Sequence, residues 1–363
     1  MLSTTHLASA AVFVSAFLVS LMMTPVARKI AFAARIVDKP NPRKVHAVPT
    51  PMMGGLAVLC GFLVGAAVAH GFGLIPDSSF PLLTGILTGI ILIFLIGLLD
   101  DKRGVSPKGK LLGQFVAACV LVWFEVRLSI FIRDHFITTL VTMIWIVGIT
   151  NSFNLLDNMN GLSTGVGFIA ACAFGWVAYE QYDMLVLMLA SALAGSALGF
   201  LPHNFPHARI FLGDSGSMMI GFTLAALSVQ GIYLAHTQLT HLPVITPILI
   251  LGVPLFDTIS VMIIRKSRGI SIFTADKNHF SHRLVDLGMT QKQAVLLIYL
   301  VAIAVAIPAT LLSRVSRGEA VLLLAQELIL FIIIVSLMRA GMVREAAKVK
   351  GLPEPGHEDD RER

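Results

Sequence analysis

Four stretches of this chain collect the residue types that handle phosphate, metal ions and protons. In LLDDKRGVSPKGKLLGQ, Asp100 and Asp101 are adjacent, and Lys108 and Lys110 follow within one short turn. Neighbouring carboxylates suit a hard divalent cation, or a base beside one, because Mg²⁺ prefers oxygen ligands. The plainer alternative is a charged helix end before a Gly104/Pro107 turn. In NSFNLLDNMNGLSTG, a helix would put Asn151, Asn154 and Asp157 on one face, with Asn158 beside them. Three amides and an acid at the end of an apolar run are costly in lipid unless they line a cavity or bind something. A capping cluster before Gly161 is the competing explanation.

HNFPHARIFLGDSGS sets Asp214 and Ser215 over a Gly-rich turn at the start of a helix. Free backbone N–H groups and the positive helix end there would favour a phosphate, while Asp214 could hold its metal. A simple Asp/Ser N-cap would look the same, and Phe211 could stack on a base or face lipid. In ADKNHFSHRLVDLG, a helix would carry His279, His282 and Arg283 at i, i+3 and i+4. These groups suit diphosphate neutralisation and proton handling. The His-x-x-His spacing is also half of a zinc site, but no Cys or acid nearby completes it. An inert surface helix is the remaining alternative.

Something must bring these stretches together, and composition says what. Of 363 residues, 56% are hydrophobic and 13% charged, which is membrane rather than globular composition. A hydrocarbon layer of roughly 30 Å needs about 20 apolar residues per helix. Spans are expected near 7–26, 54–73, 82–99, 111–126, 136–156, 162–179, 184–201, 215–235, 243–264, 294–312 and 320–338. The fold class is therefore all-α, a polytopic transmembrane bundle of about eleven helices. No span is expected to carry a charge near its middle. Cys60, Cys119 and Cys172 lie inside apolar spans and read as small buried hydrophobes.

The first segment lacks a basic n-region and reads as a retained helix entering from outside. With a periplasmic N-terminus, 23 of the 27 Lys and Arg residues fall on the cytoplasmic side, leaving Arg127, Arg133, Arg314 and Arg317 outside. That is the asymmetry of the positive-inside rule. The basic pI near 9.4 then follows from topology and anionic lipid, and requires no nucleic-acid partner. Residues 1–338 form one transmembrane domain, with cytoplasmic loops at 27–53, 100–110, 157–161, 202–214 and 265–293. Residues 339–363 form a polar cytoplasmic tail. All four chemical stretches then meet one membrane face, an inventory that fits phosphoryl transfer. A secondary transporter would place its polar groups near the bilayer midplane on repeated halves, and no such repeat is visible. A non-catalytic scaffold would not need so many acids and amides at one surface.

Taken in order, HAVPTPMMGGLAV (46–58), Asp100–Asp101, NSFNLLDNMNG (151–161), the Asn204-to-GDSGS segment, PLFDTISVMIIR (254–265) and the 276–283 loop resemble the polyprenyl-phosphate N-acetylhexosamine-1-phosphate transferases, glycosyltransferase family 4. The resemblance spans essentially the whole chain. It implies transfer of a sugar-1-phosphate from a UDP-sugar to undecaprenyl phosphate in a bacterial inner membrane, releasing UMP. The cofactor it implies is Mg²⁺, with Mn²⁺ as an alternative ion. Asp214, helped by Asn154, would bind the metal, and Asp100 and Asp101 would serve the metal or the lipid-phosphate nucleophile. Asp157, Asn204 and Phe211 would line the uridine pocket, and His279, His282 and Arg283 the diphosphate–sugar loop. His46, Lys110, Asn151 and Ser215 complete the expected substrate-binding set. A homodimer is left open.

The loop reads His-Phe-Ser-His-Arg, nearer the GlcNAc-1-phosphate branch than the three consecutive histidines of the phospho-MurNAc-pentapeptide branch. Ser281 stands where the branch pattern has its middle histidine, and Asn158 and Asn160 stand where Gly and Asp are common.

Overall fold

The computed structural model describes residues 2–38, 49–128, 134–231, 233, 242–271 and 278–349. His46 and the end of the tail, 350–363, lie outside the described residues. The chain is a helical bundle: α1 Leu2–Ala33, α2 Gly54–Gly71, α3 Phe80–Arg103, α4 Pro107–Trp123, α5 His135–Leu156, α6 Leu162–Glu180 and α7 Met184–Asn204 lead to α8 Gly213–Gln230. After it come α9 Thr246–Ile250, α10 Gly252–Ser267, α11 Phe280–Asp286, α12 Gln291–Leu311 and α13 Arg317–Val349. A two-residue antiparallel pairing, β1 Val37–Asp38 with β2 Thr50–Pro51, is a small departure from the all-α expectation.

Each expected span coincides with a helix, but they are not equivalent. Among the described residues, eight helices are long and apolar enough to cross a membrane: α1, α2, α3, α5, α6, α7, α12 and the first part of α13. The expected ninth span is broken at Leu251 into α9 and α10, with Pro247 and Pro254 on either side of the break. The case of α8 has a clear physical cause. It is buried along nearly its whole length, so its neighbours are helices rather than lipid. A helix shielded from lipid can be built from Gly, Ser and Thr without a solvation penalty, and its hydropathy falls accordingly.

Small residues set the spacing. Gly61 and Gly65 of α2 lie against Ala16 and Ser20 of α1 and Ala192 and Ser196 of α7, while Gly195 and Gly199 of α7 meet the backbone of α1 at Phe13 and Phe17. Both pairs have the small-xxx-small spacing that lets helix backbones approach closely without a hydrophobic driving force. Next to the polar stretches the same device recurs. A Cβ on Gly55 would fall 2.4 Å from the backbone N of Gly216, and one on Gly97 2.4 Å from Cα of Ser215. The start of α8 is thus clamped between α2 and α3.

Two sequence expectations need correction. Charges do occur within the apolar spans: Asp257 in α10 is 1% exposed and Glu327 in α13 is 2% exposed. Asp257 is paired, as described below, whereas both Glu327 oxygens are buried without a hydrogen-bond partner. A long apolar run masked them, because one carboxyl barely lowers the mean hydropathy of a whole window. The cysteines are also not uniformly buried: Cys119 and Cys172 lie on the outer surface of their helices and Cys60 is intermediate.

Gly97→Ala should force α3 away from the start of α8, costing about 2 kcal/mol of stability by overpacking. Gly148→Ala is the control, since its Cβ would meet nothing within 4 Å. Thermal unfolding of the two variants in detergent should separate them, with only Gly97→Ala lowered.

Candidate active site

At the end of α3 and the start of α4, the Gly104/Pro107 turn folds Lys110 back toward the carboxylates that precede it. Its ammonium donates to Asp214 and pairs with Asp100, so α3, α4 and α8 meet at one cation. Ser106 starts α4, its hydroxyl accepting from the Gly109 N–H at 3.2 Å. This cap fixes the approach of Lys110.

Asp101 does something different from its neighbour. Its Oδ1 accepts the Asp214 N–H at 2.8 Å and its Oδ2 the Ser215 N–H at 3.1 Å. A carboxylate from α3 therefore occupies the free amides and positive end of α8. The expected phosphate cradle at this turn is filled by the protein itself. The simple N-cap reading also fails, because no side chain of its own turn caps α8. Gly213 makes the contact feasible. It has φ of +76°, and a Cβ there would lie 2.7 Å from Asp101 Oδ2. Ser215 is fully buried, which places it in the wall rather than on the open face.

From α5, Asn154 donates to Ser217 Oγ at 3.2 Å and so lies along the first turn of α8. Asp157 follows the last residue of α5 as its C-cap. Burial, then the nearby carboxylates of Asp214 and Asp101, hold its carboxyl well above the usual carboxylate range. Asp214 is pushed up to about 6, by burial first and then by Asp100, against the lowering effect of Lys110. Asp101 is likewise raised to about 7, by burial first and then by Asp214.

Among the described residues, no three His, Cys, Asp or Glu side chains stand together as a metal cage. Mg²⁺ commonly uses one or two carboxylates and takes its other ligands from water and substrate phosphate. The oxygen donors of Asp214 and Asn154, with the carboxyls of Asp100 and Asp101 nearby, fit that pattern.

Other expected site residues are anchors. Asn151 is tied to Gln114, a buried α4 amide, by bonds in both directions, and also donates to Val147 O at 2.8 Å. Asn204 is 2% exposed; its Oδ1 accepts the Gly161 N–H at 2.7 Å and its Nδ2 donates to Ile210 O at 3.0 Å. Rather than reaching a base directly, it holds the 157–161 turn against the loop before α8. Tyr299 of α12 donates to Gly161 O at 2.5 Å from the other side. Phe211 joins the same framework through its backbone, donating to Pro51 O at 2.8 Å and accepting from Gly54 at 2.9 Å.

The histidine loop is only partly as expected. His279 is the N-cap of α11, so just His282 and Arg283 lie within the helix. Asp257, part of the 254–265 motif but given no role there, pins it: Oδ2 pairs with His279 Nδ1 at 2.7 Å and Oδ1 accepts the Phe280 N–H at 2.6 Å. Arg283 donates to Ser260 Oγ at 2.8 Å. His279 and Arg283 are buried, while His282 is partly exposed. Ser281 donates to Asn158 Oδ1 at 2.5 Å, which joins this loop to the Asp157 turn. The sequence signal for Asp257 and Gln114 is only a single carboxyl or amide within each apolar run, which the surrounding residues obscure.

Comparison with known proteins identifies the family. The glycosyl transferase family 4 profile matches residues 83–232, which hold α3 to α8 and the four carboxylates. The chain is 35% identical over 308 residues to the "Probable undecaprenyl-phosphate N-acetylglucosaminyl 1-phosphate transferase" of Bacillus subtilis (strain 168), covering 83% of this chain and 84% of that protein. It is 34% identical to the decaprenyl-phosphate N-acetylglucosaminephosphotransferase of Mycobacterium leprae (strain TN), with 80% of each chain covered. To the undecaprenyl-phosphate alpha-N-acetylglucosaminyl 1-phosphate transferase of Yersinia pestis it is 29% identical, over 87% of this chain and 88% of that one. With its long apolar helices and its acidic cluster between α3 and α8, the chain is a multi-pass membrane member of glycosyl transferase family 4.

Proposed function

We propose that this protein transfers N-acetylglucosamine-1-phosphate from UDP-GlcNAc to undecaprenyl phosphate at the cytoplasmic face of a bacterial inner membrane. The product would begin a lipid-linked cell-envelope polysaccharide. An oxygen of the lipid phosphate attacks the sugar-bearing phosphorus of the donor, the bond from that phosphorus to the bridging oxygen breaks, and UMP leaves with the electron pair. The observation that carries the reading is the convergence of four acids at the start of α8: Asp100 and Asp214 share Lys110, Asp101 binds the first amides of α8, and Asp157 lies within electrostatic reach of Asp214 and Asp101. The names of the similar transferases supply the donor sugar and the class of acceptor.

The lipid phosphate is already ionised near neutral pH, so a strong base is not required. The demanding task is to bring two anions together, which is electrostatic work. Mg²⁺, or Mn²⁺ in its place, would be held by Asp214 with Asn154 beside it and would supply charge neutralisation on the diphosphate. Lys110 keeps Asp100 and Asp214 aligned, and Asp101 fixes the start of α8 so that Asp214 is presented in one orientation. The partly exposed His282 would meet the donor, with Arg283 and His279 fixing α11 behind it. The Lys/Arg asymmetry supports the cytoplasmic orientation.

Purified protein with UDP-GlcNAc, undecaprenyl phosphate and Mg²⁺ should release UMP. A panel of other UDP-N-acetylhexosamines and UDP-MurNAc-pentapeptide should be turned over more slowly. Asp214→Ala should lower turnover by about 10³-fold or more while membrane insertion is retained. Release of UMP from none of the donors by folded protein contradicts the proposal.

Asp157→Asn should separate function from stability. The folded Asp157 carboxyl titrates above its unfolded value. Ionising it therefore costs stability that is absent below about pH 4 and grows as the pH rises. Turnover should fall, yet the unfolding temperature should rise by about 2 °C near pH 8 and stay unchanged near pH 4. Thermal scans at the two pH values check the sign.

A further inference from the structure

Two of this chain's departures from the family pattern touch each other. Ser281 is 1% exposed and donates to Asn158 Oδ1 at 2.5 Å, across 123 residues of sequence. The Asn158 amide is oriented from its other end, where Nδ2 donates to Leu155 O at 2.9 Å. In the pattern the chain resembles, the loop position carries histidine and the turn position glycine. A long side chain facing none has been replaced by a short one facing a medium one. The summed volume across the gap is nearly conserved, which is the kind of exchange a packed interior tolerates.

The location gives the pair its consequence. Three hydrogen bonds tie the loop to α10, Asp257 to His279 and to the Phe280 N–H and Ser260 to Arg283, while the body of α11 packs on α12 and α13. These bonds fix the loop to α10, which in turn packs on α5, the helix that Asp157 caps. Ser281, between His279 and His282, instead bonds to the residue directly after Asp157. A shift of this contact by an ångström would move the imidazole of His282 relative to the Asp157 turn, and misplacement on that scale costs turnover rather than fold.

The geometry points to Ser281 and Asn158 as a coupled positioning pair that sets the register between the His279–Arg283 loop and the Asp157 turn for the donor's diphosphate–sugar. This rests on the proposed transferase reaction.

The test is UMP release by purified Ser281→Ala, Asn158→Ala, the double alanine variant, Ser281→Thr, Ser281→His, Asn158→Gly and the double Ser281→His/Asn158→Gly, with thermal scans of each. Either alanine should lower kcat by about tenfold with little change in KM for undecaprenyl phosphate, and the double alanine should be no worse than either single. Ser281→Thr, which keeps the hydroxyl, should retain activity. Ser281→His alone should be poor, and adding Asn158→Gly should restore it to within about threefold of the parent.

Losses that multiply to about a hundredfold in the double alanine would overturn the inference. So would a paired swap no better than Ser281→His alone, or variants that lose thermal stability while kcat and KM stay unchanged. If the unaltered protein releases no UMP, the transferase reading fails; if it turns over while the variants act independently, only this inference fails.

Discussion

The site depends on one ammonium shared by two carboxylates. Lys110 comes from α4, Asp100 from α3 and Asp214 from α8, and the cation holds the three helix ends together. Like charges so placed would otherwise push the helices apart in a medium of low dielectric. Asp101 adds the second constraint by placing its carboxylate on the amides that open α8. Together they convert a loose collection of acids into a fixed surface on which a further cation and a diphosphate could be seated. The carboxyls of Asp157 and Asp214 are raised by burial first and by the neighbouring carboxyls second.

The transmembrane frame exists to make that grouping of acids tolerable. Glycines at 55 and 97 allow α2 and α3 to press against the first turn of α8, and α8 is in turn screened from lipid on all sides. A helix so placed can afford Asp214, Ser215 and Ser217 at one end. Around it, Gln114–Asn151, Asn204–Gly161 and Tyr299–Gly161 tie the amide-rich turn to α4, α7 and α12. Each anchor satisfies a polar group that would be costly to leave unpaired at the membrane boundary.

Much of this was legible in the sequence, because apolar runs of about 20 residues and acid or amide clusters at their ends are strong local signals. The helices and the grouping of Asp100, Asp101, Asn154, Asp157 and Asp214 follow from them directly. What could not be read is which atoms face which. A phosphate cradle at residues 213–217 and an Asp101-capped helix start have the same sequence, and only the packing of α3 on α8 decides between them. The resemblance implies that Asn204 and Asn151 meet substrate, and in the structure both make hydrogen bonds to protein groups. Asp257 and Glu327 were hidden by the apolar residues around them. The Ser281–Asn158 contact joins positions 123 residues apart, and no local pattern reveals a pair of that kind.

The most direct test of the central claim is electron paramagnetic resonance of Mn²⁺ with the purified protein in lipid nanodiscs, in the presence of UDP-GlcNAc. The account predicts saturable binding at one site that is lost in Asp214→Ala and weakened in Asn154→Ala, while Asp257→Asn leaves it in place. Mn²⁺ bound equally well by the unaltered protein and by Asp214→Ala would contradict it.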